Sequence, residues 1–257
     1  MQMRQILKDM ATSLARRMGY SVIPNWRIET FHAANFVRRL FDFLEIDGVI
    51  DVGANTGQFR DFLRKEVRYP GDIVSFEPIP DLVTRLREIA RDDPKWVVKG
   101  CALGASAGRA EFNVMASTVF SSFLNPTHDV VEQFRTQNDV REKMLVDVRT
   151  LDDVIPEFRK ERGTNNIFLK LDTQGFDLEV LRGGVKTLGS LRALQFEASV
   201  QRIYEGMPRY DEVIRYLEDR GFAISGIFPV DARQFPVLVE FDCYMINKAF
   251  VPGALGG

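Results

Sequence analysis

From Gly48 onward, short apolar runs alternate with segments in which apolar residues return every third or fourth position. The runs Val49–Val52, Asp72–Phe76, Trp96–Leu103 and Asn166–Leu171 predict buried strands. The segments Gly57–Val67, Pro80–Arg91, Phe176–Arg182 and Tyr210–Arg220 carry the helical period. Pro80 suits a first helical turn, and Gly183, Gly184 and Gly221 suit helix ends. Ala110–Ala116, Leu145–Thr150 and Ala193–Ala198 add further strands. Phe222–Phe228 and Val239–Ile246 follow one another with no helical segment between, which predicts an antiparallel hairpin at a sheet edge. The alternation as a whole predicts an α/β fold with a mostly parallel, doubly wound sheet.

Ahead of this pattern, Ile6, Met10, Leu14 and Met18 recur at helical spacing, and Phe31–Leu44 forms a second amphipathic stretch. They predict an N-terminal helical arm over residues 1–46, preceding a domain over 47–257. Packing on the core is the default for such an arm, with a lid or a dimer contact, and so a homo-oligomer, left open. Its basic residues Arg16, Arg17, Arg38 and Arg39 are expected to face solvent. Ser117–Asn138 is punctuated by Ser, Thr, Asn and Pro and reads as a long loop with a short helix.

Charge changes the picture little. The 257 residues hold 34 basic and 36 acidic side chains, a net charge of −2, so nothing draws the chain to nucleic acid. No apolar run reaches the roughly 18 residues of a membrane span, and charges break up the first twenty positions. The two cysteines, Cys101 and Cys243, read as separate buried thiols and suggest a cytoplasmic location. Two histidines without a Cys/His cluster argue against structural zinc.

The most informative stretch is Val49–Phe59, where an apolar run enters Asp51 and glycines fall at Gly53 and Gly57. A strand ending at a tight turn whose backbone approaches a ligand has this form. The next strand ends at Glu77, suited to hold both hydroxyls of a ribose. The spacing lacks the third glycine of the dinucleotide fingerprint, which disfavours an oxidoreductase. A carboxylate at Asp51 would repel phosphate and attract an ammonium or sulfonium group. That combination favours S-adenosylmethionine over NAD. Gly53, Asn55 and Gly57, with the helix start at Thr56, Gln58 and Phe59, are expected to hold its amino-acid part. Glu77 and Pro78 are assigned to the ribose side, and Cys101, Ala102 and Leu103 to the adenine face.

The chain resembles the FkbM family of S-adenosylmethionine-dependent methyltransferases. The residues that carry the likeness are IDVGANTGQF (50–59), SFEPIP (75–80), CALG (101–104), TLDDV (150–154), KLDTQGFDLEVLRGG (170–184) and LQFEASVQRIYEG (194–206). The resemblance implies a Rossmann-like class I methyltransferase fold. It also implies methyl transfer to a hydroxyl of a sugar, glycolipid or polyketide-type natural product. Gln174 departs from the Glu expected before Gly175, and a non-catalytic S-adenosylmethionine-binding or scaffolding relative is the alternative it opens.

Methyl transfer to an alcohol needs alignment of two reactants and removal of one proton. Asp172, at the end of a buried strand, is the first candidate for the acceptor side, with a helix cap as its ordinary alternative. Glu197 interrupts LQFEAS and should project from the same sheet edge. The two carboxylates could share a proton or bind a divalent metal, but no third carboxylate is fixed by the sequence and no metal is expected. His128, in the long loop, is the third candidate base, while His32 reads as structural. Ser121, Ser122 and Tyr204 are plausible contacts for a small-molecule or glycan acceptor.

Overall fold

The computed structural model of the chain describes residues 10, 13–15, 17–20, 22–23, 28–127, 137–230 and 236–251. Helix α1 (Ile28–Phe43) leads into β1 (Gly48–Val52), whose five residues are all buried. Then come α2, which starts at Gln58–Asp61 and widens into a π-type turn over Phe62–Val67, and β2 (Asp72–Phe76). Helix α3 (Pro80–Ala90), β3 (Trp96–Lys99), β4 (Ala102–Leu103), β5 (Gly108–Met115) and β6 (Val140–Arg149) follow. The second half runs α4 (Leu151–Arg162), β7 (Ile167–Leu171), α5 (Asp177–Arg182), β8 (Ala193–Ser199), α6 (Tyr210–Glu218), β9 (Phe222–Pro229) and β10 (Glu240–Asn247).

Seven strands form one sheet in the order β3-β2-β1-β7-β8-β10-β9. β1 pairs in parallel with β2 and β7, and β7 with β8. β10 runs antiparallel to both its neighbours, which makes the expected edge hairpin. Both faces are covered, as an apolar parallel sheet requires. Alternation along β1 sends Val49 to the face packed with Val37 and Phe41 of α1 and Leu86 of α3. Ile50 goes to the opposite face, with Ile155 of α4, Leu181 of α5 and Leu217 of α6. The strand order reverses between β1 and β7, the crevice where ligands bind in open α/β sheets.

Several expectations change. Trp96–Leu103 is not one strand: it breaks at Gly100–Cys101, and Ala102–Leu103 leaves the main sheet for a three-stranded one ordered β4-β6-β5. Helix α4 lies where no helix was expected. Its signal was Thr150, whose hydroxyl accepts the Asp153 N–H at 3.2 Å; Pro156 inside the helix obscured the period. Arg38 is not merely solvated, because its guanidinium donates to the Val67 and Glu66 carbonyls that end α2. Most of the first amphipathic stretch lies outside the described residues, but α1 itself packs into the core through Ala34, Val37, Leu40 and Phe41.

Strand register lines up one polar row across the sheet: Ser75, Asp51, Lys170, Gln195 and Tyr244. Asp51 is 0% exposed and Lys170 5%. Trp96 Nε1 donates to Ser75 Oγ at 2.9 Å, and Ser75 Oγ donates to Asp51 Oδ2 at 2.7 Å. The Lys170 ammonium sits 3.4 Å from Asp51 Oδ1, 3.3 Å from the Gly53 carbonyl and 3.2 Å from Asp172 Oδ2. Burial alone would drive the lysine toward neutrality; the Asp172 and Asp51 carboxylates outweigh it and hold the ammonium charged above its ordinary range. Lys170→Met keeps the bulk and strands both carboxylates. The expected loss is about 3–5 kcal/mol of unfolding free energy, read by urea denaturation near neutral pH, and a loss below about 1 kcal/mol would contradict this role.

Candidate active site

The turn after β1 is built on three left-handed residues, Gly53 (φ 81), Asn55 (φ 45) and Gly57 (φ 87). A Cβ on Gly53 would lie 1.9 Å from the Asp172 carbonyl oxygen, so this glycine is required by the approach of the β7 end. The sequence reading had assigned that closeness to a ligand. The turn opens on a cavity of about 570 Å³, within the range of small-molecule sites.

Glu77 ends β2 at the cavity wall and is 4% exposed. Its Oε2 accepts the Asn55 N–H at 2.8 Å and its Oε1 accepts the Ile79 N–H at 2.9 Å. Each oxygen keeps a further lone pair, which suits it to a pair of hydroxyls. Burial pushes the carboxyl up to about 7 despite those two bonds. The Asn55 amide donates to Thr118 Oγ1 at 3.2 Å, while its Oδ1 has no protein partner. Phe76, Ile79, Leu103, Phe112 and Phe123 make the neighbouring wall apolar and suited to a flat ring. Among the described residues, Glu77, Asp172, Glu197 and Asp242 face the cavity against one ammonium, Lys170, a balance that favours a cationic ligand. The residues therefore fit S-adenosylmethionine, with its ribose, adenine and sulfonium.

The far side is a hydrogen-bonded cluster. The Gln174 amide nitrogen donates to Asp172 Oδ1 at 3.0 Å and to Glu197 Oε2 at 2.8 Å. The Tyr204 hydroxyl lies 2.9 Å from Gln174 Oε1, and Ser122 Oγ donates to the Gln174 carbonyl at 2.8 Å. Burial raises the Glu197 carboxyl well above its ordinary range, helped by Asp172, Glu240 and Asp242. Burial pushes Asp242, opposite Glu197 in the β8–β10 register, up to about 6. Asp172 does not cap a helix. Asp177 instead accepts the Thr173 N–H at 3.0 Å, which leaves the Asp172 carboxylate to Lys170 and Gln174. Among the described residues no group of three His, Cys, Asp or Glu side chains is arranged to hold a metal ion.

Of the residues expected at the site, Gly53, Asn55, Gln58, Phe59, Glu77, Pro78, Ala102, Leu103, Asp172 and Glu197 line the cavity. Asp51, Thr56, Gly57 and Cys101 do not. Asp51 is spent inside the sheet on Ser75 and Lys170, and does not stand at the mouth of the turn. The Thr56 N–H is taken by its neighbour's Gln58 Oε1 at 3.0 Å. Gly57 lies against Leu86 and Trp96, and Cys101 is a buried thiol behind the wall. His128 lies outside the described residues. His32, read as structural, reaches the cavity with Thr30 and Ala33 of α1. Lys170 and Asp242 were missed. Their signal was a charge inside an otherwise apolar run, IFLKL and EFDCYMI, which a buried strand tolerates only with a partner.

The profile of the methyltransferase FkbM domain matches residues 51–224. Methyltransferase sdnD of Sordaria araneosa is 26% identical over 234 residues, covering 82% of this chain and 88% of its own. The 2-O-methyltransferase NoeI of Sinorhizobium fredii (strain NBRC 101917 / NGR234) is 28% identical over 167 residues, 62% of this chain and 65% of NoeI. Among solved structures, magnesium protoporphyrin IX methyltransferase (ChlM) from Synechocystis PCC 6803 with bound SAM aligns at 12% identity and a TM-score of 0.46, over 95% of this chain and 96% of that one. Aeropyrum pernix fibrillarin aligns at 13% identity and a TM-score of 0.43, over 78% and 66%. The domain match takes in both the turn after β1 and the Asp172–Gln174–Glu197 cluster, and the chain belongs to the FkbM family of S-adenosylmethionine-dependent methyltransferases.

Proposed function

We propose that the protein is an O-methyltransferase acting on a hydroxyl of a sugar, glycolipid or polyketide-type natural product. One observation carries the reading: a bridged pair of carboxylates, Asp172 and Glu197, shares a cavity with the Glu77 wall and the Gly53–Gly57 turn. A module that only bound the cofactor would need no proton acceptor there. NoeI, a 2-O-methyltransferase, points the same way.

S-adenosylmethionine, when bound, supplies a methyl group on a sulfonium that leaves as a neutral thioether. The chain's residues do the rest. Asn55 and Glu77 hold and orient the cofactor, Glu77 by its two remaining lone pairs. Asp172, charged against Lys170, sets a fixed negative centre between the two halves of the cavity and orients the acceptor hydroxyl. Glu197 receives the proton that this hydroxyl loses as its oxygen gains the methyl group. Burial raises its pKa, so it holds a received proton more tightly than an ordinary glutamate would. Thr30 and His32, near the start of α1, line the same cavity.

Two outcomes test the assignment. Glu197→Gln should lower kcat by about 10²–10⁴-fold, with cofactor affinity changed by less than about threefold. Labelled-methyl transfer and isothermal titration read the two quantities; undiminished turnover removes Glu197 from the mechanism. For Glu77, the ligand hydroxyls bind the ionised carboxylate. Cofactor affinity should therefore fall by up to about tenfold per pH unit as pH drops below about 7, and level off above it. Glu77→Gln should flatten this slope by one proton and weaken binding at pH 8 by about tenfold or more. An unchanged slope in that variant would overturn the ribose assignment.

A further inference from the structure

Gln174 occupies a strained place for a side chain of its size. Its φ of 53 lies in the left-handed region, which costs about 1 kcal/mol or more for a residue other than glycine. Three contacts hold it there. Ser122 Oγ fixes its carbonyl, the Tyr204 hydroxyl fixes its Oε1, and its amide nitrogen has one hydrogen for each of two carboxylates. The Tyr204 hydroxyl also lies 2.8 Å from the Phe120 carbonyl and is itself held in the core. The reverse orientation of the amide would set a carbonyl oxygen against Asp172 and Glu197 together. The two carboxylates therefore select the orientation with the nitrogen toward them.

We infer that Gln174 is a positioning residue for proton removal. Its amide holds Asp172 and Glu197 apart as two separate acceptors, with Asp172 committed to Lys170 and Glu197 left to take the proton of the acceptor hydroxyl. Two carboxylates this close would otherwise share one proton, and neither would be a defined base. A donor between them weakens that coupling, because each ionised group receives a hydrogen bond of its own, while Asp172 still raises Glu197. A third carboxylate at position 174 would supply none.

The carboxylates around Glu197 all press the other way, against the attraction of Lys170. Asp172 follows β7, Asp242 and Glu240 come from β10, and Asp177 comes from α5. The nearby cation is Lys170, which already serves Asp51 and Asp172. Ser199 donates to Glu240 Oε1 at 3.1 Å, and Gln195 hydrogen-bonds Asp242, so these two have their own partners. Gln174 is the side chain that donates to Glu197 across this group.

The inference rests on Glu197 being the proton acceptor, yet it is tested without turnover. Full-length protein carrying ¹³C-carboxyl glutamate is titrated by NMR, and the Glu197 signal is identified by its loss in Glu197→Gln. In Gln174→Met, which keeps length and volume but not the donor, the Glu197 midpoint should rise by about one pH unit. Gln174→Glu is the second variant, near-isosteric, and should also move the midpoint upward by adding a carboxyl that competes for the proton. Thermal unfolding of both reports any purely structural loss. A midpoint unmoved in a folded Gln174→Met or Gln174→Glu protein overturns the inference and leaves the role of Glu197 in turnover to its own test.

Discussion

Among the described residues, the ammonium of Lys170 is the one cation within the group of carboxylates at the reversal point of the sheet, and the site is organised around it. Three oxygens surround it: Asp51 from β1, the Gly53 carbonyl from the turn, and Asp172 from the end of β7. The ion pair is buried, so its net contribution is small while both partners are present and large when one is removed. Its position follows from parallel register, which sets Lys170 beside Asp51 on β1 and beside Gln195 on β8. Backbone constraint reinforces it at the same point, because only glycine at position 53 lets the turn pass the Asp172 carbonyl.

From that fixed point the cavity divides by the kind of group that lines it. The cofactor half is shaped by backbone: left-handed residues in the turn, and two N–H groups that aim the Glu77 carboxylate. The acceptor half is shaped by side chains on the ends of β7, β8 and β10, tied by the Gln174 amide. Burial, with neighbouring carboxylates adding to it, raises several of these carboxyls toward neutrality. A cationic ligand relieves that crowding, and the relief ends when its charge is lost on transfer.

Much of this was legible from the chain alone. The strands buried along nearly their whole length, β1, β2 and β7, were read within a residue or two, because a buried parallel strand leaves little room for ambiguity. Gly53 and Glu77 were placed at a turn and a strand end by the same logic, and both line the cavity. Misreadings arose where a local pattern was overruled from a distance. Asp51 was placed at the ligand because its sequence neighbours are the turn, whereas pleating sends it into the sheet toward Ser75. Trp96–Leu103 reads as one run, and only the pairing of Ala102–Leu103 with β6 shows that it belongs to two sheets. Gln174 stood out as a departure, yet that it bridges Asp172 and Glu197 depends on positions 23 residues apart in sequence. No local period could show that.

The most direct test of the whole account is a crystal structure with S-adenosylhomocysteine, the product left after methyl transfer. The account predicts both ribose hydroxyls on the Glu77 carboxylate and the adenine against Leu103 and Phe112. It also predicts the thioether sulfur turned toward the gap between Asp172 and Glu197, with Gln174 still bridging them. A nucleoside bound away from Glu77, or a sulfur facing away from Glu197, would contradict it.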